Sequence, residues 1–190
     1  MGDLYLASAS PRRLELLRGA GFNPGVIAGR VRESRRPGEG PQAMVLRLAR
    51  AKAGRVARLL AARGARSGRV LAADTTVALG RAVLEKPRDG AQALAMLRRL
   101  SGRAHTVHTG VCVLDLGGGG ERAAFVESTR VYFRTLGDAE LRAYVAGGES
   151  LDKAGAYGIQ GAAGAFVRRI EGDYCNVVGL PLARVVEVLR

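Results

Sequence analysis

The chain has 190 residues, 47% hydrophobic and 25% charged, which suits a globular protein with a sizeable core and excludes wholesale disorder. Its net charge of +13 comes from 30 basic residues, all arginine except Lys52, Lys86 and Lys153, and such a charge draws polyanions from nucleic acid to phosphorylated small molecules. No apolar run nears the roughly 20 residues that cross a bilayer, no basic-then-apolar leader opens the chain, and Cys112 and Cys175 match no metal-ligand spacing, so a reduced, cytoplasmic protein with no membrane partner is expected.

Residues 4–8 read as a short apolar strand. Ser10 and Pro11 then supply an N-cap and a first-turn proline, and Leu14, Leu16 and Leu17 predict a helix over 11–20 that Gly19 or Gly21 can end. A polar loop covers 28–41. From 41 to 63, Met44, Val45, Leu48, Val56, Leu59 and Leu60 share one helical face. Val70 to Leu79 is apolar and β-branched except at its centre, the pattern of a buried strand. Asp89 caps a helix over 90–100, closed by Ser101-Gly102, and strands over 104–115 and 122–135 flank Gly117 to Gly120 as a hairpin. Asp138 opens a short helix ending at Gly147-Gly148. The glycine-rich segment 152–164 reads as a loop before a strand at 165–170, and Pro181 begins a last helix. Alternating strands and helices predict an α/β fold in a single domain over 1–190, a mixed sheet with helices on its faces.

Four groups of residues carry candidate chemistry, the third of them two lysines from separate segments. Ser8-Ala9-Ser10-Pro11-Arg12-Arg13 stands at a helix start, where free N–H groups, hydroxyls and guanidinium forks suit phosphate; a capped helix with solvated arginines is the plainer alternative. Asp74, in Ala73-Asp74-Thr75-Thr76, puts a carboxylate into a buried strand, which is costly unless it is paired or bound to metal, so it is a candidate general base or Mg²⁺ ligand. Lys52 falls on the apolar stripe, four residues from both Leu48 and Val56, and must either snorkel outward or meet a buried anion. Lys86, in a turn after the Asp74 strand, can return to that site or stay solvated.

The fourth group, Asp152 to Gly161, has small residues that let backbone approach a ligand, and Gln160 offers donor and acceptor to a base edge. It matches neither the dinucleotide fingerprint nor the Walker loop. His105 and His108 are placed on opposite faces of a strand, unsuited to a shared metal, and both cysteines are read as buried small hydrophobes.

In this order and spacing, the stretches Leu6 to Arg13, Ala72 to Thr75, Glu85-Lys86-Pro87, Met96 to Gly102, Asp152 to Gly161 and Gly172 to Pro181 resemble the Maf family of nucleotide pyrophosphatases. The resemblance implies a mixed, twisted sheet with flanking helices and two lobes around a cleft, similar to inosine triphosphate pyrophosphatases. It also implies a nucleoside triphosphate substrate, a divalent cation (Mg²⁺ or Mn²⁺), often a homodimer, and a role in clearing surplus nucleotides that has been linked to restraint of septum formation. On the matching positions, Asp74 is implied as proton acceptor, and Arg12, Thr75 and Gln160 as the residues that select the base in the dTTP- and UTP-cleaving branch. Ser8, Arg13, Glu33, Lys52 and Lys86 fall where that family has phosphate- or metal-directed groups, with Glu33 and Asp74 as metal ligands. A sister branch prefers 7-methyl-GTP. The alternative class is a basic nucleic-acid-binding protein, against which stand the absence of Trp and the dispersal of the arginines; nucleic acid is not expected as a specific partner.

Overall fold

The computed structural model describes residues 3–190. In chain order they form β1 (Leu4–Leu6), α1 (Pro11–Gly19), β2 (Gly25–Val26), α2 (Pro41–Ala62), β3 (Arg69–Leu79), β4 (Ala82–Leu84) and α3 (Gly90–Leu100). There follow β5 (Ala104–Asp115), β6 (Gly120–Phe133), α4 (Asp138–Ala146), β7 (Val167–Glu171), α5 (Tyr174–Val178) and α6 (Leu182–Leu189). The strands form one mixed sheet in the order β2-β1-β3-β5-β6-β7, with β4 paired to β3. β1 runs parallel to β2 and β3, whereas β3–β4 and β6–β7 are antiparallel. This is the expected mixed sheet with helices. Among the described residues no helix is long and apolar enough to cross a membrane.

The chain divides into two compact units. The first holds the residues up to Asp74, with Thr109–Glu127 and Gly179–Arg190; the second holds Thr75–His108 and Ser128–Val178. Three of the four divisions fall inside β3, β5 and β6, and the fourth falls just after α5.

Residue parity builds the first unit. Side chains alternate across a strand, so Val70 and Ala72 pack with Ala49, Ala53, Val56 and Leu60 of α2. Leu71 and Ala73 turn the other way, onto Leu17 of α1 and Val185 and Leu189 of α6. In β5 the same alternation sends Cys112 toward α2 and Val111 and Val113 toward α1 and α6. Helix and strand approach closely at one point: a Cβ on Gly110 would fall 2.4 Å from the carbonyl carbon and oxygen of Val45. The second unit has its own core, in which Leu97, Leu100, Val131, Phe133, Tyr144, Tyr157 and Phe166 cluster.

Several local expectations change. Ser10 occupies the N-cap of α1 without a side-chain cap; its own N–H donates to Ser8 Oγ at 3.1 Å. The first strand stops at Leu6, which leaves Ser8 beyond its end. The segment 152–164 contains a 3₁₀ turn at Ala154–Ala156, and a second at Ala162–Phe166 runs past its end, so the following strand begins at Val167. β2, β4 and α5 are too short to show a period. Cys112 is buried but Cys175 only partly so, and both are free. Asp89 does cap α3, accepting from Gln92 N–H at 2.7 Å.

Candidate functional site

Continuing the parity of β3 past Val70 and Ala72 turns Asp74 toward α2. The apolar stripe of α2 presents Lys52 to that face, and the two meet: Lys52 Nζ donates to Asp74 Oδ1 at 2.5 Å and to Glu33 Oε1 at 2.6 Å. The lysine thus meets an anion and does not snorkel. The side chains of Lys52 and Asp74 are 12% and 10% exposed and that of Glu33 is 52% exposed, so an interior ion pair opens to solvent through the glutamate. Taking such a pair out of water is costly unless each charge keeps a partner, and Lys52 serves two carboxylates at once. Gly29 makes this geometry accessible. A Cβ there would fall 3.0 Å from Lys52 Cβ and 3.1 Å from its carbonyl oxygen, so the absent side chain lets the Glu33 segment close on α2.

Beside this trio, Arg13 of α1 is buried and locked. Its Nε donates to Gly179 O at 2.8 Å, and its Nη1 donates to Ala73 O at 2.8 Å and to Ser8 Oγ at 3.1 Å. Burial draws the guanidinium below its ordinary pKa, and the Asp74 carboxylate pulls it back up. Ser8 Oγ accepts from Arg13 and from Ser10 N–H, which leaves its own proton as its donor capacity. Arg12 follows on α1, partly buried. The first unit therefore brings Ser8, Arg13, Glu33, Lys52 and Asp74 into one connected array.

Thr75, Lys86 and Gln160 belong to the second unit. Thr75 follows Asp74 in β3 and is partly buried; Lys86, after β4, and Gln160, between the 3₁₀ turns, are exposed. Two residues that sequence reasoning passed over hold the Gln160 loop. Tyr144 Oη accepts from Gly158 N–H at 3.3 Å and donates to Glu149 Oε1 at 3.3 Å, and Glu149 Oε2 accepts from Ala162 N–H at 3.1 Å. The signal lay in the glycines: a Cβ on Gly161 would fall 2.1 Å from Glu149 Oε1, and one on Gly158 would fall 2.6 Å from Lys153 Cε. Upstream, Ala156 holds φ 62°, a left-handed conformation unusual for a residue with a Cβ. Lys153 is occupied by Glu149 O and Asp152 Oδ1, both at 2.7 Å. The histidines have separate partners, His105 pairing with Tyr157 Oη and His108 with Ser128 Oγ, each at 2.8 Å.

Two carboxylates drawn to one ammonium are hard oxygen donors of the kind Mg²⁺ and Mn²⁺ prefer. Among the described residues no three His, Cys, Asp or Glu side chains group to hold a metal. A small divalent ion commonly takes one or two carboxylates and completes its shell with substrate phosphates and water, so Glu33 and Asp74 fit that use.

The sequence profile of the family described as Maf-like protein matches residues 3–190. A dTTP/UTP pyrophosphatase from Geotalea uraniireducens is 50% identical over 189 residues, covering 99% of this chain and 94% of the relative. One from an Anaeromyxobacter species is 52% identical over 189 residues, covering 98% and 88%. Among solved structures, a HAM1 protein from Coxiella burnetii is similar at TM-score 0.43 and 16% identity, over 70% of this chain and 73% of that one.

Proposed function

The chain belongs to the Maf family, and from that premise we propose that it is a nucleoside triphosphate pyrophosphatase that cleaves dTTP and UTP to the monophosphate and pyrophosphate. The observation that carries the reading is the 50% identity, over nearly the whole chain, to a relative named dTTP/UTP pyrophosphatase. The Asp74 array supplies a chemistry suited to it.

In this reading a water attacks the α-phosphorus, Asp74 accepts one of its protons, and the bond to the β-phosphate's bridging oxygen breaks as pyrophosphate leaves. Lys52 holds the Asp74 carboxylate in place and offsets negative charge accumulating on the phosphates. Ser8 donates its hydroxyl proton to a phosphate oxygen, and Arg13 fixes that hydroxyl while adding positive charge behind it. Lys86 is assigned to the leaving phosphates. Arg12, Thr75 and Gln160 are assigned to base selection. Glu33 and Asp74 would hold Mg²⁺ or Mn²⁺, whose contribution when bound is to neutralise the triphosphate oxygens. Residues 1–190 act as one catalytic domain, a homodimer is the proposed assembly, and the cytoplasm, where the nucleotide pools lie, is the proposed setting.

The test is pyrophosphate release from a panel of nucleoside triphosphates with Mg²⁺ or Mn²⁺. Preference for dTTP and UTP is expected. Preference for 7-methyl-GTP would overturn the roles given to Arg12, Thr75 and Gln160, and cleavage of none would overturn the activity.

A further inference from the structure

A second basic constellation in the first unit is left unused by the Asp74 array. With 3.6 residues per helical turn, Ala51, Gly54 and Arg58 lie on a face of α2 turned well away from Lys52, with Arg55 at its edge. Arg30, Val31 and Arg32, from the segment after β2, come against that face. Together with Arg50 they line a shallow cavity of about 500 Å³, broadly open to solvent, within the ~300–1,000 Å³ usual for small-molecule sites.

Arg30, Arg32, Arg50, Arg55 and Arg58 give the lining five guanidiniums and no carboxylate. Arg50 is committed, its Nε and Nη2 both donating to Glu121 at 2.8 Å. Among the described residues, the side chains of the other four make no hydrogen bond or ion pair within the protein. Gly54 keeps the helix face low, and Arg58 Nη1 lies 3.6 Å from where its Cβ would stand, so that guanidinium lies across the floor. Four uncompensated cations around one concavity repel each other until an anion enters.

Guanidinium forks match phosphate oxygens two at a time. The apolar lining is only Val31, Ala51 and Gly54, with no aromatic ring on which a base could stack. The site is also compact, whereas a nucleic-acid strand calls for an extended track. We propose that this cavity binds a short linear oligophosphate, such as inorganic tripolyphosphate, at a site separate from the Asp74 array. The assignment does not depend on the pyrophosphatase activity, since it concerns binding alone.

The experiment is calorimetric titration of the full chain with sodium tripolyphosphate, without divalent cation, so that binding is read with no turnover. Wild type is expected to show two binding events, one at each array. Arg55→Gln/Arg58→Gln should lose one event, or weaken it by at least about tenfold, as the removal of hydrogen bonds to a charged ligand implies. The other event should be unchanged. Arg81→Gln/Arg88→Gln, which removes the same charge elsewhere, should behave as wild type. In wild type the Arg55 and Arg58 Nε–Hε resonances should shift on addition. A double variant that titrates like wild type overturns the proposal, whereas a single wild-type event that the double variant abolishes upholds it and counts against the Asp74 array alone. Loss of single-stranded oligonucleotide binding in the double variant with tripolyphosphate binding intact would also overturn it, by assigning the cavity to nucleic acid.

Discussion

Asp74 and Arg13 are both buried charges, yet their neighbourhoods assign them different work. Asp74 is held through one oxygen by Lys52, whereas Arg13 spends its donors on Gly179, Ala73 and Ser8. Asp74→Asn preserves shape and removes the proton acceptor, so pyrophosphate release from dTTP should fall about 10²–10⁴-fold, with an unchanged circular dichroism spectrum. Arg13→Met strips three acceptors of their buried donor and should cost about 2–3 kcal/mol of stability, seen as a lower urea midpoint even without substrate. The carboxylate was legible in the sequence because an Asp inside an apolar strand demands a partner. Which partner was not: the stripe position of Lys52 allowed two outcomes, and only the packing of β3 on α2 chose between them. Arg13 was read among the phosphate-directed groups, and nothing local revealed that its donors tie α1 to β3 and to the residues before α6.

Two glycines near α2 separate helix propensity from close packing. Gly54 is interior to the helix and its Cβ would meet only Arg58 Nη1, at 3.6 Å. Gly54→Ala should therefore stabilise the protein by about 0.5–1 kcal/mol, read as a raised melting temperature. Gly110→Ala drives a methyl into the α2 backbone at 2.4 Å and should destabilise by about 3 kcal/mol, at the upper end for an overpacked core. Elements with a long period or a clear cap, such as α2, β3 and α3, were visible in the sequence. β2, β4 and α5 were not, since two to five residues carry no periodicity and their pairing or capping comes from residues elsewhere; Asp173 Oδ1, which accepts from Cys175 and Asn176 N–H, starts α5. The Gln160 loop shows the same limit. Its glycines were noticed as freedom to approach a ligand, while their neighbours Glu149 and Tyr144 show a loop held in place. Glu149→Ala should loosen that loop, speeding amide exchange at Gly158 and Ala162.

At the scale of the whole molecule, the second unit's core sets a pH limit on folding. His105 is 2% exposed, packs edge-on against Phe133 and Tyr157, and burial draws its pKa from 6.5 down to about 4. The unfolded chain therefore takes up the proton first. The contribution of the neutral ring is fully present above pH ~6.5 and is lost as pH falls toward about 4, by about 3 kcal/mol across that window. Chemical denaturation at a series of pH values should show this slope in wild type and a flatter profile for His105→Asn; equal slopes would exclude His105 as its source. The large positive charge, by contrast, is dispersed over much of the surface, with ion pairs such as Arg98–Asp138 and Arg134–Glu140 offsetting part of it. Its concentration without carboxylates in the α2 cavity was invisible in a sequence where arginine is common throughout.

Hydrolysis of dTTP in oxygen-18 water, with both products examined by mass spectrometry, tests the central claim most directly. Attack at the α-phosphorus by a water that Asp74 deprotonates predicts the label in thymidine monophosphate, unlabelled pyrophosphate, and turnover by Asp74→Asn lowered about 10²–10⁴-fold. Label in pyrophosphate, release of orthophosphate with the diphosphate, or undiminished turnover by Asp74→Asn would contradict it.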